Sequence, residues 1–356
     1  MSARDPIADL RRIAFLLERA NEATYRVRAF RSAAKALAGL PAKEVAERAR
    51  TGKLTELAGV GDVTARCIAE SLAGEEPVYL RRLVATEGTD LDAAATILRT
   101  ALRGDCHTHS DWSDGGSPIE EMALAAVELG HEYVVLTDHS PRLKVARGLT
   151  ADRLRKQLDH VAAVNEALPE GFRILTGIEV DILADGSLDQ TDELLARLDV
   201  VVGSVHSGLN DERAKLTRRM LAAIANPHLD ILGHCTGRMV SSRPAGVQGP
   251  GDRAHRPRTR GESDFDADAV FAACAERGVA VEINSRPERQ DPPKRLIRRA
   301  LEAGCRFAIN TDAHAPGQLD WQRFGCERAA LCGVPADLVV NTWPADRLLK
   351  WARTRR

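Results

Sequence analysis

Aromatic side chains are scarce, only 4% of the 356 residues, which argues against a surface of stacking platforms for unpaired bases. A charge excess is missing too. With 50 Lys and Arg against 51 Asp and Glu, nothing pulls the whole chain toward nucleic acid or membrane, so any basic surface must be local. No apolar run approaches the roughly 18 residues that span a bilayer. The start, Met1-Ser2-Ala3-Arg4-Asp5-Pro6, lacks the basic-then-apolar layout of a secretory signal. A cytoplasmic protein without membrane attachment is therefore expected. The seven cysteines are odd in number and scattered, with no CxxC pair, the pattern of reduced thiols packed as small residues. Internal repeats are absent. What remains is an ordinary globular balance, 44% hydrophobic, in a chain long enough for one large domain and one small one.

Residues 1–86 read as short helices. Ile7, Leu10, Ile13, Ala14 and Leu17 recur at helical spacing with Arg11, Arg12 and Glu18 opposite. A second helix runs from Tyr25 toward Leu40, where Gly39 and Pro41 end it. Two more helices flank the turn Gly59-Val60-Gly61. Residues 87–103 read as a linker with one short helix, Ala93 to Leu102. From 104 onward short apolar strands alternate with helical patterns: Tyr133–Thr137, Ile174–Ile178, Val200–Val205, Ile231–Gly233, Val279–Ile283 and Phe307–Asn310. Such alternation implies an α/β domain around a parallel sheet, open or closed into a barrel. Ser241 to Ser263 breaks the rhythm with a Gly/Pro/Arg-rich stretch (Arg243, Arg253, Arg256, Arg258, Arg260), read as a mobile basic insertion.

Candidate metal ligands follow these strands. The first runs into Asp105-Cys106-His107-Thr108-His109, followed by Asp114. Others end in Asp138-His139, in Glu179, in His206, in His234 and in Asp312-Ala313-His314. In a barrel or doubly wound sheet all strand C-termini open on one face. Side chains alternate along a strand, so His107 points with His109 and Asp312 with His314. Imidazole with carboxylate suits zinc, manganese or iron. The set His107, His109, Asp114, His139, Glu179, His206, His234, Asp312 and His314 is too large for one ion and predicts two or three, with Glu179 able to bridge. Cys106 and Cys235 stand beside these ligands and read as small residues filling strand ends. His131, His160, His228 and His255 lie elsewhere and are read as structural.

Residues 104–340 resemble a PHP (polymerase and histidinol phosphatase) domain, which implies a distorted (β/α)7 barrel with a trinuclear metal site. Carried over residue by residue, His107, His109, Glu179 and Asp312 resemble the ligands of one ion. Asp114, His139 and His314 resemble those of a second, and Glu179, His206 and His234 those of a third. Asp105 and Asp138 are expected to orient ligand histidines, with Asp138 the candidate general base. Arg142, Lys144 and Arg147 are the candidate cations for substrate phosphate, and Arg238 and Arg286 the favoured catalytic ones.

The frame Leu54-x-x-Leu57-x-Gly59-Val60-Gly61-x-x-Thr64-Ala65-x-x-Ile68 resembles a helix-hairpin-helix. That implies DNA binding, with Gly59, Val60, Gly61 and Arg66 the candidate contacts and Arg26, Arg28, Arg31 and Lys35 adding positive charge. Residues 5–86 resemble the small N-terminal domain of bacterial family X DNA polymerases. Trp112-Ser113-Asp114-Gly115, His139-Ser140-Pro141, Lys144-Val145-Ala146-Arg147-Gly148-Leu149 and Asn341-Thr342-Trp343-Pro344 resemble the PHP domain those polymerases carry. Only residues 87–103 stand where the polymerase palm would be, so nucleotide transfer is not expected. Cys67 occupies the place of the lysine that forms a Schiff base with an abasic sugar in eukaryotic relatives, so no lyase activity is expected by that route. The resemblance thus implies a metal-dependent phosphoesterase acting on DNA as a 3′–5′ exonuclease, 3′-phosphatase or abasic-site endonuclease. The alternatives are a small-molecule phosphatase of histidinol-phosphatase type and a DNA-binding adaptor with a non-catalytic metal site. Protein partners are not legible.

Overall fold

The computed structural model describes residues 4–85, 91–240 and 259–354. The chain divides into two compact units, Met1–Asp90 and Leu91–Arg356.

The first unit is all helical. Helix α1 (Pro6–Arg19) starts where Asp5 accepts the Ile7 amide at 2.9 Å, with Pro6 in the first turn, where its missing N–H costs nothing. Its apolar stripe, Leu10, Ile13, Ala14 and Leu17, is fully buried. Helices α2 (Thr24–Ala38) and α3 (Ala42–Arg50) follow. Gly52, at φ 70, closes α3. The stretch expected to be a helix before the Gly-Val-Gly turn is a single 3-10 turn, Leu54–Glu56. Gly52 and Gly59 leave too few residues between them for more. Helix α4 (Asp62–Leu72) starts at Gly61, and α5 (Val78–Ala85) completes the unit.

The second unit opens with α6 (Ala93–Ala101). Ala95 and Leu98 are buried in the main core cluster, so the helix read as part of a linker belongs to the large unit. Seven parallel strands then follow in chain order: β1 (Gly104–Thr108), β2 (Tyr133–Leu136), β3 (Arg173–Asp181), β4 (Val200–Ser204), β5 (Ile231–Leu232), β6 (Ala280–Asn284) and β7 (Phe307–Asn310). A parallel bridge between Thr108 and Ala313 links the first strand to the last, giving a nearly closed α/β barrel. Strands covered on both faces need continuous apolar runs, and Val200-Val201-Val202 and Phe307-Ala308-Ile309 supply them.

Two cores result. Val201, Leu232, Val281, Ile283, Phe307 and Ile309 face the surrounding helices. Their alternates, Leu175, Val200, Val202, Ile231, Ala280 and Ala308, fill the barrel interior together with Trp343. Period-2 alternation then fixes what stands above that apolar floor. Leu175 leads through Gly177 to Glu179, Val202 through Ser204 to His206, Ala280 to Glu282, and Ala308 through Asn310 to Asp312. Along these four strands the interior changes from hydrocarbon to carboxylate or imidazole within two steps. Among the described residues no helix is long and apolar enough to cross a membrane. The basic stretch 241–258, with His255, lies outside the described residues; among the described residues on either side, Arg260 bridges to Met239.

Candidate metal centre

All nine predicted ligands converge. Glu179 is the hub. Its Oε2 lies 3.4 Å from His107 Nε2, 3.6 Å from His109 Nε2 and 2.9 Å from His139 Nδ1. Its Oε1 lies 3.2 Å from His206 Nε2 and 2.9 Å from His234 Nε2. Asp312 Oδ1 stands 3.4 Å from His109 Nε2. Asp114 Oδ1 stands 3.5 Å from His139 Nε2 and 3.4 Å from His314 Nε2. Most of these spacings are too long for good hydrogen bonds. They match a coordination edge, since two atoms each about 2.1 Å from one tetrahedral ion lie about 3.4 Å apart.

The donor atoms fall into three overlapping groups, each within 4.8 Å: His109, Asp114, His139 and His314; His107, His109 and Asp312; His139, Glu179 and His206. This differs from the expected division in three respects. Glu179 is not grouped with His107, His109 and Asp312. His109 also stands with the Asp114 group, and His139 rather than His234 completes the Glu179 group. Buried nitrogens without a hydrogen-bond partner crowd the same place: His107 Nε2, both nitrogens of His109 and of His206, and His234 Nδ1, with Glu179 Oε2. Burying so many unpartnered polar atoms costs about 1–3 kcal/mol each. Cations in the three groups remove that cost, so the residues present fit divalent ions.

The electrostatics divide the ligands. Burial opposes charge on His107 and His206, but Glu282 and Glu179 raise the pKa of the first well above normal, and Glu179 raises that of the second to about 9. Three other groups are set for a cation. Burial, reinforced by His314 and His139, pushes His109 down to about 3, the neutral form that a lone-pair donor needs. Burial opposes charge on Glu179, but the surrounding imidazoles, His107 foremost, hold its pKa well below the usual carboxylate range. Burial likewise opposes charge on Asp312, and Arg289 beside it wins.

Several expected roles change. Asp105 takes the His107 amide at 3.0 Å and the Thr311 hydroxyl at 2.5 Å, so it ties β1 to the chain after β7 and orients no ring. Asp138, fully buried, accepts the Ser110 amide (2.8 Å), the Ser110 hydroxyl (2.6 Å), the Ser113 hydroxyl (2.5 Å) and the Gln157 amide (2.6 Å). Four donors occupy its lone pairs, which makes it the anchor of the 110–114 segment rather than a free base. The ring-orienting carboxylate is Glu282, which the sequence reading missed. Its Oε1 accepts from His107 Nδ1 at 2.7 Å, leaving Nε2 for the cup.

The cations also redistribute. Arg286 Nη1 lies 3.3 Å from both the Asp312 carbonyl and His314 Nδ1, at the ligands. Arg238 instead donates to the Arg289 carbonyl (3.1 Å) and to Glu262 (3.3 Å). The cation it supports, Arg289, donates from Nε to Asp312 Oδ2 at 2.8 Å and was also missed. Arg147 donates to the carbonyls of Asp111 and Ser113, which makes it a brace. Arg142 and Lys144 are exposed at the rim. Cys106 and Cys235 are buried thiols outside the three groups, their pKa values driven well above normal by burial.

In the small unit, Val60 is buried and frames its turn, whereas Gly59, Gly61 and Arg66 are exposed. Gly59, at φ 91, takes the left-handed conformation the turn requires. The amides that open α4 have no partner within the helix. Arg26 is held by Glu22 and Tyr79, and Arg31 by Glu18, so Arg28, Lys35 and Arg66 carry the free basic character.

Comparison with known proteins agrees with this geometry. A model of the PHP domain matches residues 105–286 and one of a helix-hairpin-helix domain matches residues 1–76. The chain belongs to the PHP family. It is accordingly a phosphoester hydrolase, carrying clusters of His, Asp and Glu with metal-site geometry. The "DNA polymerase/3'-5' exonuclease PolX" of Bacillus subtilis (strain 168) is 40% identical over 228 residues, 64% of this chain but only 37% of that protein. A "Probable phosphatase" of Thermoanaerobacter sp. (strain X514) is 28% identical over 67% of this chain and 89% of its own length. A solved histidinol phosphate phosphatase from Lactococcus lactis, complexed with zinc, L-histidinol and phosphate, covers 65% of this chain and 93% of its own at 16% identity and a TM-score of 0.42.

Proposed function

We propose that this protein hydrolyses phosphoester bonds in DNA, using two or three divalent cations (Mn2+, Zn2+ or Fe2+) held by the nine ligands. The observation that carries the reading is the three overlapping donor groups sharing His109 and His139 within one buried cup. When bound, the ions supply Lewis-acid activation of water and charge neutralisation of the phosphate. The chain's own residues do the rest. Glu179 and Asp312 keep their negative charge, so the cup attracts cations. Glu282 fixes the His107 ring. Arg286 and Arg289 stand beside Asp312, where their guanidinium groups would face the oxygens of a bound phosphate. Asp138 holds Ser110 and Ser113, and through them the segment bearing Asp114.

DNA is favoured over other phosphoesters by the hairpin unit, whose exposed turn and helix-start amides suit a backbone phosphate. The substrate range includes 3′-terminal nucleotides, a 3′-phosphate and the strand at an abasic site. Polymerase activity is not expected. A second reading, a small-molecule phosphatase, is favoured by relatives named as phosphatases that match along 89% of their length. Purified protein incubated with Mn2+ and a labelled primer–template, beside histidinol phosphate, separates the two. Shortened or dephosphorylated DNA is the expected result. Turnover of histidinol phosphate with intact DNA would overturn the DNA reading, and inertness toward both in every metal would leave a metal-binding adaptor.

A further inference from the structure

Residues 140–149 form a loop closed on itself beside the metal centre. The Leu149 amide donates to the carbonyl of the ligand His139 at 2.6 Å. At the neck, Gly148 lies so close to Ser140 that a Cβ there would fall 1.8 Å from the Ser140 carbonyl oxygen. Ser140 is itself fastened to β3, donating its amide to the Glu179 carbonyl (3.0 Å) and accepting the Asp181 amide on its hydroxyl (2.9 Å). Arg147 braces the loop on Asp111 and Ser113, and Arg153 donates to the Arg147 carbonyl at 2.5 Å. On the other side the Arg142 amide donates to Asp189 at 2.6 Å. The loop is thus pinned to the segments that carry three ligands, Asp114, His139 and Glu179.

A loop so fastened is expected to tuck its apolar residues away, and Ala146 and Leu149 obey. Val145 does not. It stands 92% exposed, the most exposed large hydrophobic among the described residues. A single exposed valine is unremarkable by itself. This one is held out on a rigid mount, directly after the exposed cations Arg142 and Lys144 in the sequence. An apolar tip flanked by positive charge is complementary to a nucleic-acid strand, whose apolar base faces and sugars lie between anionic phosphates. From Val145 to Leu149 the chain spans at most about 14 Å. That is the reach of about four stacked nucleotides at 3.4 Å each.

We propose that Val145 is a wedge that presses on a base or sugar within the first few nucleotides of the strand being cleaved, while Arg142 and Lys144 take the flanking phosphates. The inference rests on the DNA reading above and gives it a means of engaging strand ends.

The test compares Val145→Ser and Val145→Leu with the parent, loaded with Mn2+, on two substrates. One is a duplex carrying 2-aminopurine at its 3′ end, whose fluorescence rises when that base unstacks; the other is p-nitrophenyl phosphate. Val145→Ser is expected to lower kcat/KM on the duplex about tenfold, the scale of one lost base contact, and to abolish the fluorescence rise. Turnover of p-nitrophenyl phosphate stays at the parental level, and Val145→Leu restores both DNA signals. Parental DNA cleavage by Val145→Ser, or an equal loss on both substrates, overturns the wedge. A parent that turns over p-nitrophenyl phosphate yet leaves the duplex intact overturns the DNA reading itself, and the wedge with it.

Discussion

Replacing Glu282 with glutamine probes the centre without touching a predicted ligand. The carboxylate is fully buried and accepts from His107 Nδ1 (2.7 Å), the His234 amide (2.7 Å), Asn310 Nδ2 (2.9 Å) and Asn284 Nδ2 (3.2 Å). Glutamine fills the same volume but turns one acceptor oxygen into an NH2 group facing donors. At least one of the four then loses its partner, at a cost of about 1–3 kcal/mol. If the amide oxygen turns toward the His234 amide, His107 loses the partner that fixes its tautomer. Such outer partners are worth about 10–100-fold in metal affinity, or about 1.4–2.7 kcal/mol. The assay is a competition titration of Mn2+ and Zn2+ against a chromophoric chelator, paired with thermal unfolding of the chelator-stripped protein. A 10–100-fold weaker affinity is expected, with the stripped variant still folded but melting about 2–4 °C lower for each kcal/mol lost. Unchanged affinity in a folded variant would refute the assignment of Glu282 as the group that orients His107.

Asp312→Asn keeps the shape but removes the charge that Arg289 and His109 face. It is expected to lower metal content and reduce phosphoester hydrolysis by more than about 100-fold, and a variant as active as the parent contradicts the metal assignment. His131 gives a pH signature away from the ligands. Burial, helped by Arg99, pushes its pKa down from 6.5 to about 3. The unfolded chain therefore binds a proton below about pH 6.5 that the native state refuses, so stability falls as pH drops through that window, by about 1.4 kcal/mol per pH unit. Denaturant titrations of His131→Gln are expected to lack this part of the slope, and a parallel pH profile would show the ring is not held neutral. Cys67 is buried, and burial raises its thiol to about 11. With no amine at that position, borohydride should trap no adduct there with abasic-site DNA, and a Cys67-region adduct on peptide mapping contradicts this.

Much of the centre was legible because its ligands stand at or just beyond strand ends, where an apolar run gives way to His, Asp or Glu. Glu282 escaped for the same reason. It sits inside β6, flanked by Val281 and Ile283, and looks like an interruption of an apolar strand. The available signal was its register: two residues beyond Ala280, on the inward set, a lone acid had to meet something polar. Asp105 and Asp138 misled because adjacency to a histidine in sequence says nothing about which donors a carboxylate meets in the fold. Backbone amides and hydroxyls took both. The arginines were the least legible. Long side chains choose among several acceptors within reach, and only the fold shows that Arg147 caps carbonyls and Arg238 props Arg289 while Arg289 itself reaches Asp312. In the hairpin unit, the spacing of Gly52 and Gly59 was visible but its effect on helix length was underestimated.

The seam between β1 and the chain after β7 has a consequence for assembly. The barrel's first and last strands meet through a few bonds: the His109 amide to the Ala313 carbonyl (2.8 Å), the Gly116 amide to the His314 carbonyl (2.7 Å) and the Asp105 clasp on Thr311. His107 and His109 stand on one lip of that seam, Asp312 and His314 on the other. An ion seated between them would act as a rivet joining parts of the chain about two hundred residues apart. Loading would then be the closing act of folding as well as the arming of the site. Amide hydrogen exchange at His109 and Gly116 should slow when metal is added, and exchange indifferent to loading would separate closure from catalysis.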